Sequence, residues 1–177
     1  MNTMNQDILN YCGLLEEHLS EIWQESLHPP IGALKHPFIT AGGAQYQHAL
    51  WDWDSWLSGV ALRQARARFG EEPREGVPTL RECERGCILN FLEHTDISGF
   101  MPIEIGPDGP AWDIAGNVQV LPRDQMLHTN PHKPCICLHL ETILEAQDDP
   151  DDLQWIRPHF AKVELFLNFM ESHRRHT

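Results

Sequence analysis

Positive charge is scarce in this 177-residue chain: 13 lysines and arginines stand against 26 aspartates and glutamates, a formal net charge of −13. Such a surface repels nucleic acid and anionic lipid, and only "RQARAR" and "HRRHT" form short basic clusters, so neither partner is expected. No run of about 18 apolar residues occurs, which excludes a transmembrane helix by the usual length criterion. The opening "MNTMNQDILNYC" has neither a basic nor an apolar leader segment, so no signal peptide is expected. Cysteine is sparse and odd in number, five in all. Placement inside apolar runs suits buried thiols in a reducing compartment better than a disulfide framework. The expectation is a cytoplasmic protein of one domain, for which a 41% hydrophobic content suffices.

What is present is helical periodicity. Ile8, Cys12, Leu15, Leu19, Ile22 and Trp23 recur at helical spacing opposite Glu16, Glu17, Ser20 and Glu21, which predicts an amphipathic helix over about residues 6–26. The proline- and glycine-rich "HPPIGALKHPFITAGG" predicts loop or short extended structure. A second helix is predicted from about Asp52 to Phe69, ending at Gly70. In the third, Thr79 and Glu82 have capping-box spacing and Leu80, Cys83, Cys87 and Phe91 form the apolar stripe. Residues 98–131 are the least helical, with "FMPIEI" and "NVQVL" as candidate short strands around "GPDGP". "KPCICLHLETILEAQ" predicts a fourth helix, and a fifth runs from about Leu153 to Arg175 with a break at Pro158. The total is about five helices with long loops and little sheet.

The segment "WDWDSW" puts three tryptophans and two aspartates into six positions. Trp51, Trp53 and Trp56 cannot share one narrow helical stripe, because successive residues turn by about 100°. A core with capping aspartates explains part of the pattern. Sugar recognition explains more: a pyranose lays its C–H face on an aromatic ring and offers hydroxyls to a carboxylate, which accepts two hydrogen bonds at once. Asp52 and Asp54 point to nearly opposite sides of a helix, so they are not the flanking acid/base pair of a glycosidase.

With "KHPFITAGG", "WDWDSWLSGVAL", "GFMPIEI" and "NPHKPCICLHLETILEAQDDPDDLQWIRPHF" in this order, the chain resembles the N-terminal half of the catalytic domain of six-hairpin glycosidases. The resemblance is to glycoside hydrolase family 63, in its mannosylglycerate hydrolase and α-glucosidase branches, with the family 37 trehalases more distant. It implies an all-α fold: an incomplete (α/α)6 toroid of about five helices, two and a half hairpins, with residues 1–177 forming a truncated part of one catalytic domain. It also implies inverting hydrolysis of an α-linked glucoside or mannoside, with the general acid and base expected beyond Thr177. The matching positions make Trp51, Trp53, Asp54, Asn130 and Lys133 the substrate-binding residues, Lys133 standing where many relatives have glutamine. A small carbohydrate or glycoside is the implied partner, no cofactor is implied, and self-association through helix faces left exposed is expected. The alternative is a non-catalytic helical module binding a sugar or a partner.

"HTNPHKPCICLHLE" invites a zinc reading through His128, His132, Cys135, Cys137 and His139. On a helix Cys135 and His139 share a face while Cys137 points away, so no metal is assigned. Cys83 and Cys87 read as packing, His18, His94 and His173 as solvated. Glu104, Asp108, Asp113 and Asp124 read as loop and turn carboxylates.

Overall fold

A computed structural model describes residues 3–42, 46–70, 74–110, 132–146 and 152–174. Among them are five helices: α1 (Thr3–Ile22), α2 (Asp52–Phe69), α3 (Leu80–Glu93), α4 (Ile136–Glu145) and α5 (Phe160–Arg174). Five strands accompany them: β1 (Leu27–His28), β2 (Phe38–Ile39), β3 (Leu50–Trp51), β4 (Glu104–Gly106) and β5 (Gly109–Pro110). β1 and β2 form one antiparallel ribbon, and β3, β4 and β5 form a second sheet in that order, also antiparallel.

The class is therefore mixed α/β, which overturns the all-α expectation and with it the incomplete (α/α)6 toroid. The reason lies in strand length. Each strand has two or three residues, too few for a period-2 alternation to stand out, and β3 pairs with a segment more than fifty residues away. "FMPIEI" does contribute β4, whereas "NVQVL" lies outside the described residues.

α3 is the hub. Nine of its residues are buried, among them Cys83, Cys87, Ile88, Phe91 and Leu92. Its start is the capping box read from the sequence: the Thr79 hydroxyl accepts from the Glu82 N–H at 3.2 Å, and the Glu82 carboxylate accepts from the Thr79 N–H at 2.8 Å. The Thr79 N–H and hydroxyl, both donating to it, hold the Glu82 carboxyl below its ordinary pKa. The chain leading into β2 is clamped to α3 by side chains. Asn90 accepts the His36 N–H at 3.1 Å and donates to the His36 carbonyl at 3.0 Å, while Cys87 Sγ accepts the Ile39 N–H at 3.2 Å. Gly86 makes the approach possible, because a Cβ there would fall on the Pro37 carbonyl oxygen.

Around α3 the core gathers Leu34, Phe38 and Ile39 from the ribbon, Leu50 and Ile105 from the second sheet, and Ile136, Ile156 and Phe166 from the later elements. A buried ion pair joins α2 to α3, Arg63 Nε donating to Glu84 at 2.7 Å. Burial pushes the Glu84 pKa up to about 7 against the opposing pull of Arg63. The fifth helix starts later than expected: the residues from Leu153 to Ile156 are not helical, a 3-10 turn over Arg157–His159 holds Pro158, and α5 begins at Phe160.

α1 departs from expectation. Its helix ends at Ile22, and Trp23–Ser26 continue as a 3-10 turn. Ile8, Leu9, Tyr11, Leu14, Leu15 and Leu19 are all exposed, so only the end of the expected stripe is covered: Ile22 is half-buried and Trp23 joins the core. An Arg68–Glu16 pair at 3.1 Å ties the helix to α2.

Candidate functional site

The three tryptophans of "WDWDSW" sit in three surroundings because the segment is a strand-to-helix junction. Trp51 is the last residue of β3, half-buried, with Tyr46 edge-on at 5.5 Å. Trp56 reaches across to α4 and donates from Nε1 to the Thr142 hydroxyl at 3.1 Å. Trp53, in the first turn of α2, keeps 49% of its surface exposed.

Asp52 opens α2 and is 1% exposed. Its carboxylate accepts the backbone N–H of Lys133 at 3.1 Å and the Lys133 ammonium at 3.2 Å. Held this way, Lys133 Nζ lies 4.4 Å from the centroid of the Trp53 ring, a cation–π contact. Asp54 is half-buried beside them. Burial raises its pKa, the neighbouring Asp52 charge raises it further, and Lys133 pulls it back. Trp53, Asp54, Asp52 and Lys133 thus form one cluster with an exposed ring, a partly desolvated carboxylate and an anchored ammonium. Sequence reading had excluded Asp52 from a catalytic pair and assigned it nothing more. Its partner stands 81 positions away, beyond any local signal.

The 132–133 segment is fixed from both sides. The His132 N–H donates to the Met101 carbonyl at 2.7 Å, and the ring packs edge-on against Phe91 at 4.5 Å. Nδ1 lies 2.6 Å from the Lys133 carbonyl oxygen, which only accepts, so Nδ1 carries the proton and Nε2 the lone pair. Burial pushes the His132 pKa down to about 4 and that of His139 to about 3. Both rings have a buried Nε2 without a hydrogen-bond partner.

Of the cysteines and histidines that invited a metal reading, His132 and Cys135 come together, with Asp52 as the third member. One ligand atom from each lies within 4.8 Å of the others. The set differs from that suggested by spacing: Asp52 was not in it, and Cys137 and His139 are not part of it. A fourth position would stay open in a tetrahedral site, but the Lys133 ammonium already supplies the positive charge at Asp52.

Asn130, His128, Asp113 and Asp124 lie outside the described residues. Glu104 is a strand residue of β4, opposite Trp51. His94 is not solvated as expected: it is half-buried and its Nε2 lies 3.1 Å from the Ala33 carbonyl oxygen, as a donor to it. Cys83 and Cys87 are fully buried, and burial raises both thiol pKa values, that of Cys87 to about 12. A concavity of about 230 Å³, sharing no lining residue with the cluster, opens between His28, Pro29, Pro30, His48 and Pro107. Burial lowers the His28 pKa there, and His48 lowers it further. No helix among the described residues is long and apolar enough to cross a membrane.

Comparison with protein-family models, with curated proteins and with solved structures finds no match to this chain.

Proposed function

We propose that the chain is a glycoside hydrolase homologue whose Trp53, Asp54 and Lys133 bind an α-linked glucoside or mannoside. The observation that carries the reading is the half-exposed Trp53 ring beside a partly desolvated carboxylate and an anchored ammonium. A sugar C–H face stacks on such a ring while its edge hydroxyls donate to Asp54 and accept from Lys133. Trp51 and Asn130 complete the proposed set by resemblance. In the intact reaction the linkage is hydrolysed with inversion by an acid and a base that this reading does not assign to any residue here. Five free cysteines support a reducing compartment, and the cytoplasm is the proposed location.

The test is calorimetric titration of the chain with methyl α-glucopyranoside and methyl α-mannopyranoside. Millimolar or tighter binding that is lost in Trp53→Ala and Asp54→Asn supports the reading. Absence of binding by the unaltered chain, or binding indifferent to both substitutions, overturns it. The alternative, a non-catalytic binding module, is separated by a hydrolysis assay on the corresponding p-nitrophenyl α-glycosides.

A further inference from the structure

Asp52, His132 and Cys135 converge from two distant segments, Asp52 opening α2 and the other two lying in the turn that leads into α4. A carboxylate oxygen of Asp52, a ring nitrogen of His132 and Cys135 Sγ all lie within 4.8 Å of one another. Asp52 and His132 are almost fully buried, and Cys135 is a half-buried free thiol. Backbone bonds hold the turn in place. The Lys133 carbonyl accepts the Cys135 N–H at 2.6 Å, and the Lys133 N–H donates to the Asp52 carboxylate at 3.1 Å. One nitrogen of the His132 ring donates to that same carbonyl, and the other has no hydrogen-bond partner among the described residues. The neutral ring therefore has a lone pair to offer, and bonding of one nitrogen to a carbonyl is how metal-bound imidazoles are commonly oriented.

A carboxylate, an imidazole and a thiolate together are donors suited to a zinc-type divalent ion. Tetrahedral bonds of about 2.0–2.3 Å set ligand atoms about 3.3–3.8 Å apart. The three groups thus need to draw in by about 1.5 Å at most, and the half-buried Cys135 side chain is the one with room to move. Charge decides whether a buried site tolerates the ion. The Lys133 ammonium, 3.2 Å away, now neutralises Asp52. A divalent ion in its place meets two negative charges, one from the carboxylate and one from the thiolate, so the buried group stays neutral in both states. The Lys133 side chain, part-exposed, turns its ammonium to water, and the Cys135 thiol gives its proton to solvent.

We propose that Asp52, His132 and Cys135 bind one zinc-type divalent ion in exchange for the Lys133 ammonium and the Cys135 thiol proton. A water completes the tetrahedron. Lys133 is then a competitor of the ion for one carboxylate, and the ion ties the start of α2 to the turn before α4 with three bonds. Cys137 and His139, which the sequence also offered, have no part in the site. The inference does not rest on the carbohydrate reading, and its test uses no sugar.

The test is titration of the chelator-treated, reduced full chain with cobalt(II), followed by absorption spectroscopy, and then displacement by zinc. The expected result is one cobalt per chain, with a thiolate-to-cobalt charge-transfer band and the intense visible bands of a tetrahedral ion, all removed by zinc. Cys135→Ser abolishes the charge-transfer band and weakens binding by about a hundredfold or more, whereas Cys137→Ser binds like the unaltered chain. Lys133→Met, which lacks the competitor, binds about tenfold more tightly or better. Absence of the band in the unaltered chain overturns the proposal, as does a band that survives Cys135→Ser or a Lys133→Met affinity no greater than that of the unaltered chain. Should the variants not fold, alkylation of the unaltered chain decides. Zinc is expected to slow iodoacetamide labelling at Cys135, located by peptide mass spectrometry, and equal labelling with and without zinc is the refuting outcome.

Discussion

Two substitutions that break the same ion pair are expected to cost different amounts. Lys133→Met removes the ammonium from a carboxylate that is 1% exposed, and leaves Asp52 charged with a single backbone N–H donor. Stranding a buried charge costs about 3 kcal/mol or more. Asp52→Asn removes the opposite charge but keeps an amide oxygen that still accepts the Lys133 N–H. The released ammonium, on a side chain 38% exposed, turns to water at little cost, so the loss is about 1 kcal/mol. For a domain of this size about 2–4 °C of melting temperature corresponds to each kcal/mol. Thermal melts followed by circular dichroism should then place Lys133→Met about 6–12 °C below the unaltered chain and Asp52→Asn about 2–4 °C below. Equal losses, or a larger one for Asp52→Asn, would refute the argument that differential burial decides the cost.

Gly86→Ala drives a methyl into the Pro37 carbonyl, and urea denaturation should show a loss of about 3 kcal/mol or more. Gly13→Ala, in a helix with open space around the position, should be neutral or stabilising in the same assay. Thr79→Ala removes the cap of α3, and a loss of about 1 kcal/mol in urea is the expected outcome. The buried histidines make the fold acid-sensitive. His139 has its pKa depressed to about 3 when folded against about 6.5 when unfolded. Its contribution is present above about pH 6.5 and is lost as pH falls towards 3, at about 1.4 kcal/mol per unit. The pH–stability curve of His139→Gln should be flatter than that of the unaltered chain over this range, and parallel curves would contradict the assignment.

Local signals were readable and long-range ones were not. α2 begins and ends at the residues suggested by its pattern, the Thr79–Glu82 box closes as its spacing implies, and Pro158 lies in the turn that precedes the last helix. All three are decided within one helical turn. The sheets escaped because β3 is two residues long and its partner strand comes after α2 and α3. That omission misread Trp51, which belongs to a strand and faces Glu104. Trp53, Asp54 and Lys133 were picked out individually, yet the residue joining them, Asp52, was not. Its role depends on a contact between distant segments, about which hydrophobic periodicity carries no information. The α1 stripe shows the converse: a clear amphipathic pattern establishes the helix without establishing what covers it.

The separation of Asp52 from Lys133 also sets an order of events during synthesis. At about 5–20 residues per second, the 81 positions between them take roughly 4–16 seconds to translate. Throughout that interval the tryptophan-rich junction is made and has no lysine to neutralise its buried aspartate. Closing a loop of this length then costs about 4 kcal/mol of chain entropy. The residues that clamp the chain before β2 to α3, about fifty-four positions apart, are all synthesised before that closure. The nascent chain thus carries these clamps before the Asp52–Lys133 pair, while Ile136, Ile156 and Phe166, which complete the core around α3, are still to be made.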